Sequence, residues 1–150
     1  MLFTEAVAPA GEWALQQLEA ALAQRLPPQY RAFLQQMNGG SCRHRGLPIE
    51  HPDKGAVTVP LECFFSVGSR SPDFDLQTNY FYYRDAARIP SWFLPIAMDI
   101  GTNLIGVGLS DATSDQVFYW DHEREFLAAN GAFRIAEGFH AFLRSIHTLY

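Results

Sequence analysis

The stretch from Trp92 to Glu123 limits what this chain can fold into more than any other: WFLPIAMDIGTNLIGVGLSDATSDQVFYWDHE. Apolar runs at Phe93 to Met98, Leu104 to Leu109 and Val117 to Trp120 are separated by Asp99 and Gly101 and by Ser110 to Asp115. Asp121-His122-Glu123 closes the last. Short β-branched and aromatic runs between turn formers predict an antiparallel meander of three strands. In the second run Ile105, Val107 and Leu109 share one face, and Gly106 and Gly108 the other. Glycines on one face admit a close neighbour, either an aromatic from the next strand or a partner's backbone.

The remaining segments read as cover for that sheet. Residues 1–11 are a loose lead-in. A helix is expected from Glu12 to about Arg25, because Leu15, Leu18, Leu22 and Leu26 recur at three- and four-residue steps. Leu26-Pro27-Pro28 ends it, and Pro28 opens a second helix running to Met37 with Tyr30, Phe33, Leu34 and Met37 as its stripe. Asn38-Gly39-Gly40 stops that helix, so an αα-hairpin is implied. Ser41 to Lys54 is polar and reads as a surface loop. Ala56 to Val67 reads as extended, with Pro60 at an edge or bulge. Asp75 to Arg88 places Leu76, Tyr80, Tyr83 and Ala87 on one helical face, although Tyr80-Phe81-Tyr82-Tyr83 also suits a strand; the longer stripe favours helix. Residues 124–134 return across the surface, and a last helix is expected from about Ile135 to Tyr150. The whole predicts a single α+β domain over residues 1–150: a largely antiparallel sheet flanked by an N-terminal αα-hairpin and a C-terminal helix.

At 150 residues and 48% hydrophobic, the chain suits one packed core and excludes disorder. No apolar run approaches the roughly 20 residues a membrane-spanning helix needs. The opening MLFTEAVAPAGEW has no basic start and carries Glu5 and Glu12, unlike a secretory signal. A cytoplasmic protein with Cys42 and Cys63 as free thiols is expected, a disulfide between them being the alternative. The net charge of −5 argues against a nucleic-acid partner. Asp99, Asp111, Asp115, Asp121, Glu123 and Glu125 face Arg124 alone across residues 99–125, which accounts for the whole excess.

No motif for nucleophilic catalysis, phosphate binding or a zinc protease is present, so no catalytic residue, metal ligand or cofactor is assigned. Two looser arrangements remain. Asp121 and Glu123, about 7 Å apart on one face of a continuing strand, would suit a metal or an acid–base pair. Cys42, His44 and His51 could be read as ligands but lack a paired half-site. The carboxylates of 99–125 beside Trp92 and Trp120 instead suggest an acidic, aromatic rim for a basic protein surface. The residues expected to meet a partner are therefore Trp92, Asp99, Asp111, Asp115, Trp120, Asp121 and Glu123.

Several blocks in order carry a family likeness. They are Leu26-Pro27 with Tyr30, Phe33-Leu34 and Asn38-Gly39-Gly40; then Arg88-Ile89-Pro90 and Leu94-Pro95-Ile96-Ala97 with Asp99, Gly101 and Asn103; then Val117 to Glu123, with Phe139 and Phe142-Leu143 closing. Over about residues 12–146 the chain resembles the SUKH superfamily, which includes fungal cell-wall-assembly regulators and many bacterial immunity proteins. The resemblance implies an α+β fold with flanking helices and no shared catalytic residues. In bacteria it implies an immunity protein that neutralises a cognate toxin, often a nuclease or other enzyme; the acidic rim read above would then meet a basic toxin cleft, with carboxylates standing in for phosphates where the toxin is a nuclease. A regulatory or scaffold protein without a toxin partner, and a metal-dependent enzyme using one of the two clusters above, are the alternatives. Gly106 and Gly108, and the Ser41–Gly55 loop, depart from the family's usual pattern.

Overall fold

The computed structural model describes residues 1–149. The elements run β1 (Glu5–Ala6), α1 (Glu12–Leu22), α2 (Pro28–Gln36), β2 (Gly40–Ser41), β3 (Arg45–His51), β4 (Gly55–Phe64), α3 (Leu76–Asp85), β5 (Phe93–Asp99), β6 (Leu104–Gly108), β7 (Val117–Trp120), β8 (Phe133–Ala136), α4 (Phe139–Ser145) and β9 (His147–Thr148). The protein is α+β, and every pairing between these strands is antiparallel, in the order β1-β2-β4-β5-β6-β7-β8, with β3 and β9 continuing from β4. No helix of the described residues is long and apolar enough to cross a membrane.

The meander sets the layers. Its register puts Phe64, Ala97, Ile105 and Tyr119 on one face, and Cys63, Met98, Leu104 and Trp120 on the other. The first face carries the main core. α1 buries Leu15, Leu18 and Leu22, α2 buries Tyr30, Phe33 and Leu34, and α4 buries Phe139 and Phe142. Their rings meet edge to face, with Phe33 to Phe139 at 5.2 Å and Phe3 to Phe64 at 5.3 Å, an arrangement that adds to simple burial. The second face is covered by α3, whose Tyr83 stands 5.5 Å from Trp120. Helix wins over strand in α3 because Asp75 caps it, accepting from the Thr78 backbone N–H at 3.0 Å, and because the stripe buries Leu76 and Tyr80.

The expected aromatic contact forms at Gly106, from the preceding strand rather than the next, and does not form at Gly108. A Cβ on Gly106 would lie 2.6 Å from the Phe93 ring, the aromatic neighbour across β5–β6, while Gly108 faces Thr113 of the following loop. At Asn38-Gly39-Gly40, Gly39 takes φ +81, and a side chain there would strike the Phe65 carbonyl oxygen. Asn38 itself is buried and bonds both backbone groups of Val67, donating to its carbonyl at 2.9 Å and accepting from its N–H at 2.8 Å. Both cysteines are free and buried.

Four expectations change. Residues 1–11 are not a loose lead-in: β1 pairs with β2 and Phe3 is buried in the core. Helix α1 stops at Leu22 rather than near Arg25, because Ala23 turns left-handed at φ 54 to deliver Leu26-Pro27 to α2. Ser41 to Lys54 is not simply a loop: β3 crosses it, with Leu47, Ile49 and His51 buried on alternate positions. The expected helix from Ile135 is a strand through Ala136, then α4, then β9. Gly138 is extended at φ −148 before α4, and Ile146 is extended after it. Tyr150, where that helix was expected to end, lies outside the described residues.

Candidate functional site

The seven residues expected to meet a partner do not share one surface. Leu104–Gly108 runs from one end of the meander to the other, so its five residues separate two groups by about 16 Å. Asp99, Trp120, Asp121 and Glu123 lie at one end; Trp92, Asp111 and Asp115 lie at the other. Trp120 is not an exposed aromatic but fully buried, against Tyr83 and beneath Arg88. Trp92 is half-buried with its ring 4.7 Å from Phe118. Asp115 caps α2, accepting from the Gln29 and Tyr30 backbone N–H groups at 3.1 and 3.2 Å, where the helix dipole favours a negative charge. Asp111 and Glu123 are exposed.

Asp99 and Asp121 are buried and committed to the framework. Asp99 accepts from the Gly101 and Asn103 backbone N–H groups, from the Asn103 amide and from the Tyr119 hydroxyl, which ties the β5–β6 turn to β7. Burial, then this bond to Asp99, raises the Tyr119 hydroxyl well above its usual range. Asn103 continues the network to the His122 backbone N–H. Asp121 meets His51 Nε2 at 2.9 Å and accepts from the Glu123 N–H at 3.0 Å. His51 Nδ1 accepts from the Asp53 and Lys54 backbone N–H groups, so Nε2 carries the hydrogen facing Asp121. Burial pushes the Asp121 carboxyl upward, but the bonds from His51 and the Glu123 backbone outweigh it and hold the group below its ordinary value. With Arg124 pairing Asp53, this clamps the β3–β4 hairpin onto the meander.

The two looser clusters do not assemble. Asp121 faces His51 while Glu123 is exposed, and Cys42 is buried while His51 is committed to Asp121. Among the described residues no three His, Cys, Asp or Glu side chains are placed to hold a metal ion. Burial pushes both thiols up to about 12, which leaves them protonated and poorly nucleophilic at neutral pH.

An open groove of about 650 Å³ lies on the α3 face instead, between α3, the turn Pro72–Phe74 and the β4–β5 strands. Its apolar lining includes Phe74, Tyr82 and Ile100, exposed by 44, 64 and 62%. Its charged lining is Glu62, Asp73 and Asp99, with no Lys, Arg or His. Glu62 is the extra residue where Leu61 pairs Asp99 and Cys63 pairs Met98, a bulge that turns a strand side chain out of regular alternation. A second groove, also about 650 Å³, continues past Glu62 and Phe74 toward β1 and β2. Sequence reading found Asp99 but missed the rest. The available signals were Tyr82, an aromatic off the buried stripe of α3, and Ile100, an aliphatic inside an Asp-Gly turn.

Fold and groove together describe an α+β protein whose motif residues build the framework while a separate face stays open. The model of the SMI1 / KNR4 family (SUKH-1) matches residues 9–145, and the chain belongs to that family. No curated protein matches it.

Proposed function

We propose that this protein is a binding domain of the immunity type, which occupies and neutralises a cognate toxin through the groove beside α3. Family membership supports a protein-interaction role. The observation that carries the reading is the convergence of Phe74, Tyr82 and Ile100 on one concavity whose charged lining residues are all carboxylates. Exposed aromatic and aliphatic anchors in a concave site supply most of the binding energy in protein interfaces. Complementary charge speeds encounter with a basic surface and rejects acidic ones. Glu123 is exposed at the Asp99 end of the meander, whereas Asp111 lies at the other end. The free, buried thiols accord with a cytoplasmic protein.

The test is affinity capture from the native lysate with the wild-type chain and with Tyr82→Ala/Ile100→Asp. Mass spectrometry identifies the partner, and an assay then measures its enzymatic activity against added protein. The expected result is one stoichiometric partner with a toxin domain, inhibited by the wild type and not by the variant. Partners that lack any toxic activity, captured equally by both forms, would replace neutralisation with a regulatory role.

A further inference from the structure

The groove holds a charge arrangement of its own. Asp99 spends its carboxylate on four internal donors, which leaves Glu62 and Asp73 as the charges the groove can offer. Glu62 stands where the two grooves meet, with its side chain 24% exposed. Arg43 reaches it from the second groove only. Both Arg43 Nε and one terminal nitrogen donate to the same Glu62 oxygen, Oε1, at 2.9 and 2.8 Å. The Arg43 side chain is 68% exposed, so solvent screens the pair and leaves it weak. A planar guanidinium matches a carboxylate best when it uses both oxygens, and Arg43 uses one.

We propose that Arg43 is an internal stand-in for a cationic side chain of the partner. A partner segment carrying Arg or Lys next to an apolar residue would place its cation on Glu62, displace Arg43, and seat its apolar residue among Phe74, Tyr82 and Ile100. The proposal rests on the groove being the binding face. It adds which chemistry that face selects and which residue of this chain competes for it. The occupant is a protein segment rather than a nucleic acid, because every charge lining the α3 groove is negative.

The probe is acetyl-Leu-Arg-Leu-amide, titrated at millimolar concentration into the isotope-labelled full chain. Its uncharged counterpart, with citrulline for arginine, is the control, and backbone amide shifts are followed by NMR. The arginine peptide should move Phe74, Tyr82 and Ile100 together with the Arg43 Nε–H, and should bind about fivefold more tightly than the citrulline peptide. Arg43→Ala should bind the arginine peptide about threefold more tightly than wild type, because the competitor is gone. Glu62→Gln should keep the fold and bind both peptides equally. Equal binding of the two peptides to wild type, weaker binding by Arg43→Ala, or no response in the groove would overturn the exchange. In each of those cases a partner lost by Tyr82→Ala/Ile100→Asp would still leave the groove as the binding face, so the two failures are separable.

Discussion

Tyr30 and Tyr119 carry the same hydroxyl into opposite circumstances. Tyr119 donates to Asp99, while the buried Tyr30 hydroxyl has no hydrogen-bond partner among the described residues. Tyr119→Phe should cost about 1–3 kcal/mol, because Asp99 loses a donor inside the protein. Tyr30→Phe should be neutral or stabilising by about 1 kcal/mol, because it removes a buried polar group with nothing to bond. Urea unfolding of the two variants measures both. Asp121 gives a pH signature. Its folded carboxyl lies below the unfolded value of about 3.9, so its stabilisation is present above that pH and is lost as pH falls through the lower folded value. Asp121→Asn should lower stability at neutral pH and make the acid loss shallower, as read by denaturant midpoints from pH 7 down to acid. At this scale the sequence misled in one direction: carboxylates at turns read as a rim, while the donors that bury Asp99 and Asp121, Tyr119 and His51, lie 20 and 70 residues away.

The elements were legible wherever a period went unbroken. The meander and the first three helices follow from apolar runs, Asp75 and Pro28. Strand β3 escaped because its third inward residue is His51, a side chain that reads as polar until Asp121 accounts for its burial. The expected C-terminal helix is too long because Phe139 and Phe142 do lie on a helical stripe, and nothing local marks Phe133 to Ala136 as a strand that pairs with β7. The glycine face of β6 was legible, and it gives the sharpest test at this scale. Gly106→Ala forces a methyl into the Phe93 ring and should destabilise by about 1–3 kcal/mol. Phe93→Leu in that background should recover part of the loss, whereas Phe93→Leu alone should only destabilise. Thermal unfolding of the three variants reads the coupling.

Over the whole molecule, net charge is a poor guide to where the open groove lies. The local excess of residues 99–125 divides between two ends of the meander and the interior, while the open groove takes Glu62 and Asp73 from distant segments. Nothing in a linear sequence brings Phe74, Tyr82 and Ile100 together, because their convergence depends on where α3 lands across β5. Such residues contribute little to folding, so Tyr82→Ala/Ile100→Asp should change stability by no more than about 0.5 kcal/mol while it removes binding. The decisive measurement is the affinity of the captured partner for two double variants by calorimetry. Tyr82→Ala/Ile100→Asp should weaken binding about 30-fold or more, while Trp13→Ala/Phe126→Ala, which removes two still more exposed rings outside the groove, should leave it unchanged. The reverse pattern, with the groove variant binding normally and the control failing, would place the interface elsewhere.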